Sequence, residues 1–181
     1  GWMEDADHLG FAGGPLREQL EVALQLPVAI GNDADCAAWG EYKAGSYDSD
    51  SFILVTLGTG VGGGIILGGK LITGVNNAAG EIGHMVLNRD ETVPCNCGKY
   101  GCVEQYCSAT GIARLTKLAL AESDVPSSLR DLEKIIAKDV FDAANSGDKL
   151  AQDVLEQVYA YMGEFIANIC CVVNPEVVVL G

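Results

Sequence analysis

The chain has 181 residues, 49% of them hydrophobic, enough to bury the core of one domain and too apolar for a disordered segment. Eleven basic residues against twenty-five acidic ones leave a formal charge of −14, which repels phosphate backbones and anionic lipid alike. No apolar run approaches the ~18 residues a membrane-spanning helix needs, so the expectation is a soluble protein that contacts neither membrane nor nucleic acid through this segment.

In chain order, residues 15–26 place Leu16, Leu20, Ala23 and Leu24 at helical spacing behind Pro15, predicting an amphipathic helix that Pro27 stops. Val28, Ala29 and Ile30 read as a short buried strand ending at Gly31-Asn32-Asp33, and a helical pattern resumes over 33–45. Asn32 and Asp33 therefore fall at a strand-to-helix junction, where ligands of open α/β sheets gather. The alternative for Asp33 is a helix N-cap, with Asn32 or Asp35 doing that work if Asp33 does not. Residues 51–57 form the continuous apolar, β-branched run of a central strand and lead into Gly58-Thr59-Gly60-Val61-Gly62-Gly63-Gly64. A second strand over 65–67 and a hairpin through Gly68 and Gly69 follow, so neither a Rossmann helix nor a Walker Gly-Lys-[Ser/Thr] closes the glycines. A strand–glycine turn–strand presents unobstructed backbone N–H groups, a nest for phosphate oxygens. The alternative is a plain tight hairpin, for which five glycines are more than needed.

Residues 80–104, GEIGHMVLNRDETVPCNCGKYGCVE, carry one of two histidines and three of seven cysteines. His84, Cys95, Cys97 and Cys102 make a Cys3His set suited to a closed tetrahedral zinc centre, with Gly98 and Gly101 at the bends of the loop. Glu81 and Glu104 bracket the ligands; as hard oxygen donors they do not compete with thiolates for a saturated zinc and are free for another role. One reading is a knuckle that only staples a loop; the other is a zinc that holds His84 so that its second ring nitrogen faces a ligand. Seven is an odd number, and Cys36, Cys107, Cys170 and Cys171 lie in apolar or helical contexts, which favours a reducing cytoplasm over a disulfide framework.

Beyond the cysteines, a helix is predicted over 108–120, a polar break over 123–128, two short helices over 129–144, and the longest helix over 148–171. Gly163 is expected to mark a close helix-to-sheet contact. Asn174-Pro175 ends that helix before a β-branched strand over 176–180, which wants a neighbour and a following turn; the chain is expected to continue.

The ordered set Gly31-Asn32-Asp33-Ala34, Leu57 to Gly64, Gly80-Glu81-Ile82-Gly83-His84 and Cys95-x-Cys97-Gly98-x-x-Gly101-Cys102-x-Glu104 resembles the ROK family of sugar kinases and sugar-responsive repressors. Gln105-Tyr106 followed by Ser108-Ala109-Thr110-Gly111 is similar to its glucokinase branch. The resemblance implies an α/β, actin-like (ribonuclease-H-like) ATPase fold, with residues 1–181 as the larger C-terminal lobe carrying an inserted zinc-binding loop. It implies ATP- and Mg2+-dependent phosphorylation of a hexose, glucose to glucose 6-phosphate being favoured, by a cytoplasmic homodimer. Asp33 would be the general base, and Asn32, Glu81, His84 and Glu104 would hold sugar hydroxyls. Gly58, Thr59, Gly60, Gly62 and Gly63 would take the nucleotide phosphates, and the zinc would be structural. The alternatives within the family are a sugar-sensing transcriptional repressor and an N-acetylmannosamine kinase. The family's Asp-Gly-Thr phosphate motif has no Asp-x-Gly-x-Thr counterpart here, and its second, adenosine-side glycine turn would lie past Gly181. Residues 1–181 alone are therefore expected to be inactive.

Overall fold

The computed structural model describes residues 13–181, which fall in two compact units, one ending at Asp33 and the other spanning Ala34–Gly181. In the first, the helix α1 (Leu16–Leu24) ends on Gln25 in the left-handed conformation, and Arg17 pairs with Glu21 one turn on at 3.1 Å. The strand predicted over 28–30 does not form: these residues join no ladder among the described residues, Ile30 is exposed, and the Val28 N–H donates to Glu21 instead. A β-branched run becomes a strand only where another strand takes its N–H and C=O groups.

The second unit is built on β1 (Ser51–Leu57), flanked by β2 (Val61–Leu67) and β4 (Val177–Leu180), with β3 (Lys70–Leu71) beyond β2, in the order β3-β2-β1-β4. β1 runs antiparallel to β2, pairing Leu54 with Gly64, and parallel to β4, pairing Ile53 with Val178. Alternate β1 residues face opposite layers, as the pleat requires. Phe52 and Leu54 pack with Ile66, Tyr42 and Tyr47 and with Ala38 of α2 (Asp33–Ala44). Ile53 and Val55 enter the larger core with apolar residues of α4 (Ala109–Glu122), α5 (Ala137–Asn145) and α6 (Lys149–Val173). Burial on both faces is why the sequence of β1 is apolar without alternation.

α6 starts where Asp148 accepts the Ala151 N–H at 3.1 Å, and the same carboxylate gathers the Ser127 and Ser128 hydroxyls. Its Leu150, Val154, Val158, Phe165 and Ile169 are buried. Gly163 lies on the other side: it is exposed and a Cβ there would meet nothing within 4 Å, so it marks no helix–sheet contact. The first of the two short helices predicted over 129–144 is a single 3-10 turn, Ser128–Asp131, from which Arg130 reaches back to the Leu120 carbonyl at the end of α4. No helix among the described residues is long and apolar enough to cross a membrane.

The glycine stretch is organised differently from the sequence pattern. Only 58–60 form the turn, closed by the Gly58 N–H on the Gly60 carbonyl at 3.0 Å, and Gly62, Gly63 and Gly64 lie within β2. A Cβ on Gly62 would sit 2.9 Å from the Ala34 Cβ, one on Gly64 2.3 Å from the Ala38 Cβ, and one on Gly63 2.2 Å from Ile82 Cδ1. These glycines let α2 approach one face of β2 and the Ile82 turn approach the other. The turn itself is three residues long, and the remaining glycines of the stretch belong to β2.

Candidate active site and metal centre

The turn Ile82–His84 buries its first two residues. Ile82 enters the core, and a Cβ on Gly83 would lie 1.9 Å from the Val61 carbonyl oxygen, so only glycine lets the turn rest on β2. Glu81 is left exposed and His84 half-buried on the outer side. His84 Nδ1 lies 3.7 Å from Cys95 Sγ, Cys97 Sγ lies 3.7 Å from Cys102 Sγ, and the four ligand atoms are all within 4.8 Å of one another. Thiolates about 2.3 Å from a tetrahedral zinc stand about 3.8 Å apart, so the donor set and its dimensions both fit such an ion.

The loop between the ligands is bent by its own backbone. The Cys95 N–H donates to the Lys99 carbonyl at 2.7 Å and the Gly98 N–H to the Cys95 carbonyl at 2.8 Å. Gly101 has φ +73°, and a Cβ there would fall 1.6 Å from the Asn88 carbonyl oxygen. The thiols differ in character. The Lys99 N–H beside Cys97 holds its pKa below the usual thiol range, while burial raises that of Cys95 and pushes Cys102 up to about 12. A metal must displace these protons, which ties its affinity to pH.

Behind the loop lies a network that the sequence pattern does not announce, since its members share no period. Gln105 accepts the Cys102 N–H at 3.1 Å through Oε1 and donates to the Val93 carbonyl at 2.8 Å through Nε2. Glu91 accepts from the Tyr106 hydroxyl at 2.8 Å and from the Arg114 guanidinium at 2.9 Å, and Arg114 also reaches the Gln105 carbonyl at 3.2 Å. Burial opposes ionisation of Glu91, but the Val93 N–H, Tyr106 and Arg114 together outweigh it and hold the carboxyl at about 2. A depressed carboxyl stabilises the fold at pH values above its unfolded pKa, and that contribution disappears as pH falls toward the folded one. Glu91→Gln should therefore cost about 2 kcal/mol at pH 7. The gap from wild type should close as pH falls from about 4.5 toward 2. Urea unfolding of both proteins at pH 7 and pH 3 checks this; an equal gap at the two pH values would contradict it.

Glu104 opens the short helix α3 (Glu104–Cys107) two residues after Cys102. Its Oε1 lies 3.8 Å from Cys95 Sγ, and its Oε2 accepts the Val61 N–H at 3.1 Å. One carboxylate thus joins the cysteine loop to the glycine turn. The turn is held from below by the start of α4, where the Ala109 N–H donates to the Gly58 carbonyl at 2.9 Å and the Thr110 hydroxyl to the Thr59 carbonyl at 2.8 Å. An open cavity of about 470 Å3 lies between turn and loop, lined among others by Thr59, Gly60, Asn96, Glu104, Thr110 and Arg114. Asp33 is the first residue of α2 and the last of the first unit, directly after Asn32. Asp35, a possible cap by sequence, is instead buried within α2, and burial first and the Glu81 charge second raise its pKa. The second unit thus brings together His84, the three cysteines, Glu104 and the glycine turn.

The second unit is a mixed α/β sheet with helices on both faces, and its likeness to ROK sugar kinases puts it in the actin-like ATPase class. The sequence model of the ROK family matches residues 3–181, and the chain belongs to that family. It is 43% identical to a glucokinase of Halalkalibacterium halodurans over all of its own length and 56% of that protein. It is 37% identical to an Escherichia coli N-acetylmannosamine kinase over 95% of its length and 55% of the other. Among solved structures it matches a ROK family glucokinase from Streptomyces griseus in complex with glucose and AMPPNP at a TM-score of 0.81 and 34% identity, covering 94% of this chain and 57% of that one. A ROK family transcriptional regulator, a homologue of the E. coli MLC protein, matches at a TM-score of 0.80 and 34% identity, covering 92% and 42%. The chain spans about half the length of the curated relatives it matches.

Proposed function

We propose that the intact protein is an ATP-dependent sugar kinase that converts glucose to glucose 6-phosphate, and that zinc occupies the Cys3His centre. The observation that carries this reading is the Glu104 carboxylate, which touches both the cysteine loop and the glycine turn, so that a sugar held at one lies beside phosphates held at the other. Membership of the ROK family and the similarity to glucokinases support the sugar and nucleotide halves alike. In this reading Asn32, Glu81, His84 and Glu104 hold sugar hydroxyls, the turn 58–60 faces the nucleotide phosphates with Gly62 and Gly63 behind it, and Asp33 takes the hydroxyl proton. Phosphoryl transfer asks mainly for alignment of hydroxyl and γ-phosphate and for charge neutralisation, which Mg2+ supplies with the nucleotide. Zinc on Nδ1 would fix the imidazole and leave Nε2 for the sugar. None of the seven cysteines is joined in a disulfide, which suits a reducing compartment.

A sugar-sensing repressor is the second reading, favoured by the similarity to a ROK transcriptional regulator. A coupled assay on the intact protein with ATP and Mg2+ separates the two. Glucose should be phosphorylated with a kcat/KM roughly tenfold or more above that for N-acetylmannosamine. No turnover with either sugar, together with sugar-dependent release from DNA, would overturn the kinase.

A further inference from the structure

We propose that Gly60, although it stands in the glycine turn, is a positioning residue for the sugar: its missing side chain leaves the space in which the Glu104 carboxylate sits. This rests on the reading of Glu104 as a sugar ligand. A Cβ at Gly60 would lie 2.3 Å from Glu104 Oε2 and 3.2 Å from its Cδ, whereas one at Gly58 would meet nothing within 4 Å. Of these two glycines of one turn, Gly60 alone makes room for a neighbouring side chain. Oε2 is held in that space by the Val61 N–H at 3.1 Å, while Oε1 turns toward Cys95 Sγ. One backbone donor thus sets the rotation of the carboxylate, a charge-assisted contact with the directional strength that implies. Both residues line the open cavity of about 470 Å3, so the contact lies on a surface that a ligand can reach. Gly60 has no need of a left-handed backbone, being absent from the positive-φ glycines, and its space is taken by the end of a flexible side chain. An added methyl would displace Glu104 and leave the turn its path.

The test is kinetic and uses the intact protein. Gly60→Ala should raise the sugar KM about tenfold, the cost of one misplaced charge-assisted hydrogen bond, and by a larger factor than the KM for ATP. Gly58→Val should do the reverse. In a Glu104→Ala background, Gly60→Ala should add nothing to the sugar KM, because both changes act through one carboxylate. Additive effects, or a rise in the KM for ATP alone, would overturn the proposal. If Glu104→Ala itself leaves the sugar KM unchanged, the sugar-site reading fails and this inference with it; if Glu104→Ala raises it and Gly60→Ala does not, only this inference fails. A measurement independent of the Gly60 variant is amide exchange at Val61, which should quicken in Glu104→Ala while neighbouring strand amides keep their protection. Unchanged exchange there would show that the contact does not form in solution.

Discussion

Asp33→Asn in the intact protein is expected to lower kcat by about 10²–10⁴-fold, the usual share of a positioned general base, while sugar affinity changes little. The amide keeps the shape of the carboxylate and can still take part in hydrogen bonds to a sugar, but it has no basic oxygen for the hydroxyl proton. The substitution is informative because the competing account of Asp33 makes the opposite forecast. Asp33 stands at the very start of α2, and asparagine caps a helix about as well as aspartate does. A residue kept only for its cap would therefore tolerate the change in both stability and turnover. Steady-state rates with glucose, paired with calorimetric sugar binding and a melting curve, separate the accounts. Near-normal turnover would remove Asp33 from the chemistry.

The second large effect concerns the metal. Cys102→Ala should abolish stoichiometric zinc binding, open the loop 86–102 to proteolysis and weaken sugar affinity, because His84 loses the ion that would hold its ring. Cys102 is buried, its Sγ lies 3.7 Å from Cys97 Sγ, and its N–H is tied to Gln105, so its removal breaks the centre at its least exposed corner. Structural zinc is worth on the order of 10 kcal/mol in small peptides that fold only around it. The loss here should be smaller and local, since Gln105 and the Glu91–Arg114 pair still brace the loop without metal. Cys107→Ala is the control: that thiol is equally buried, with a pKa pushed up to about 11 by burial, but it stands outside the cluster, so the variant should keep its zinc. Metal analysis of both variants decides the matter. Full zinc content in Cys102→Ala would refute the ligand set.

What can be read from the chain alone is whatever depends on neighbours in sequence. The apolar run of β1, the period of α6, and the hairpin at Gly68 and Gly69 are each specified by a contiguous stretch, and each stands where its pattern puts it. The Cys3His set is equally local: three thiols within eight residues, bent by Gly98 and Gly101, can converge on a fourth ligand almost wherever the loop docks. Tertiary structure decides the rest, because a missing Cβ says that something comes close but not what. Gly62 and Gly64 face Ala34 and Ala38 of α2, Gly63 faces Ile82, and Gly60 faces a carboxylate forty-odd residues away; in sequence all four look like one phosphate loop. Residues 28–30 have the composition of a strand and pair with none among the described residues, and Gly163 looks buried in its helix and is exposed. The Glu91–Arg114 pair has no spacing to betray it, since it forms only when the cysteine loop is laid against α4. Period and capping are short-range energies, written where they act; burial and close approach depend on which distant element crosses, and only the packed chain settles that.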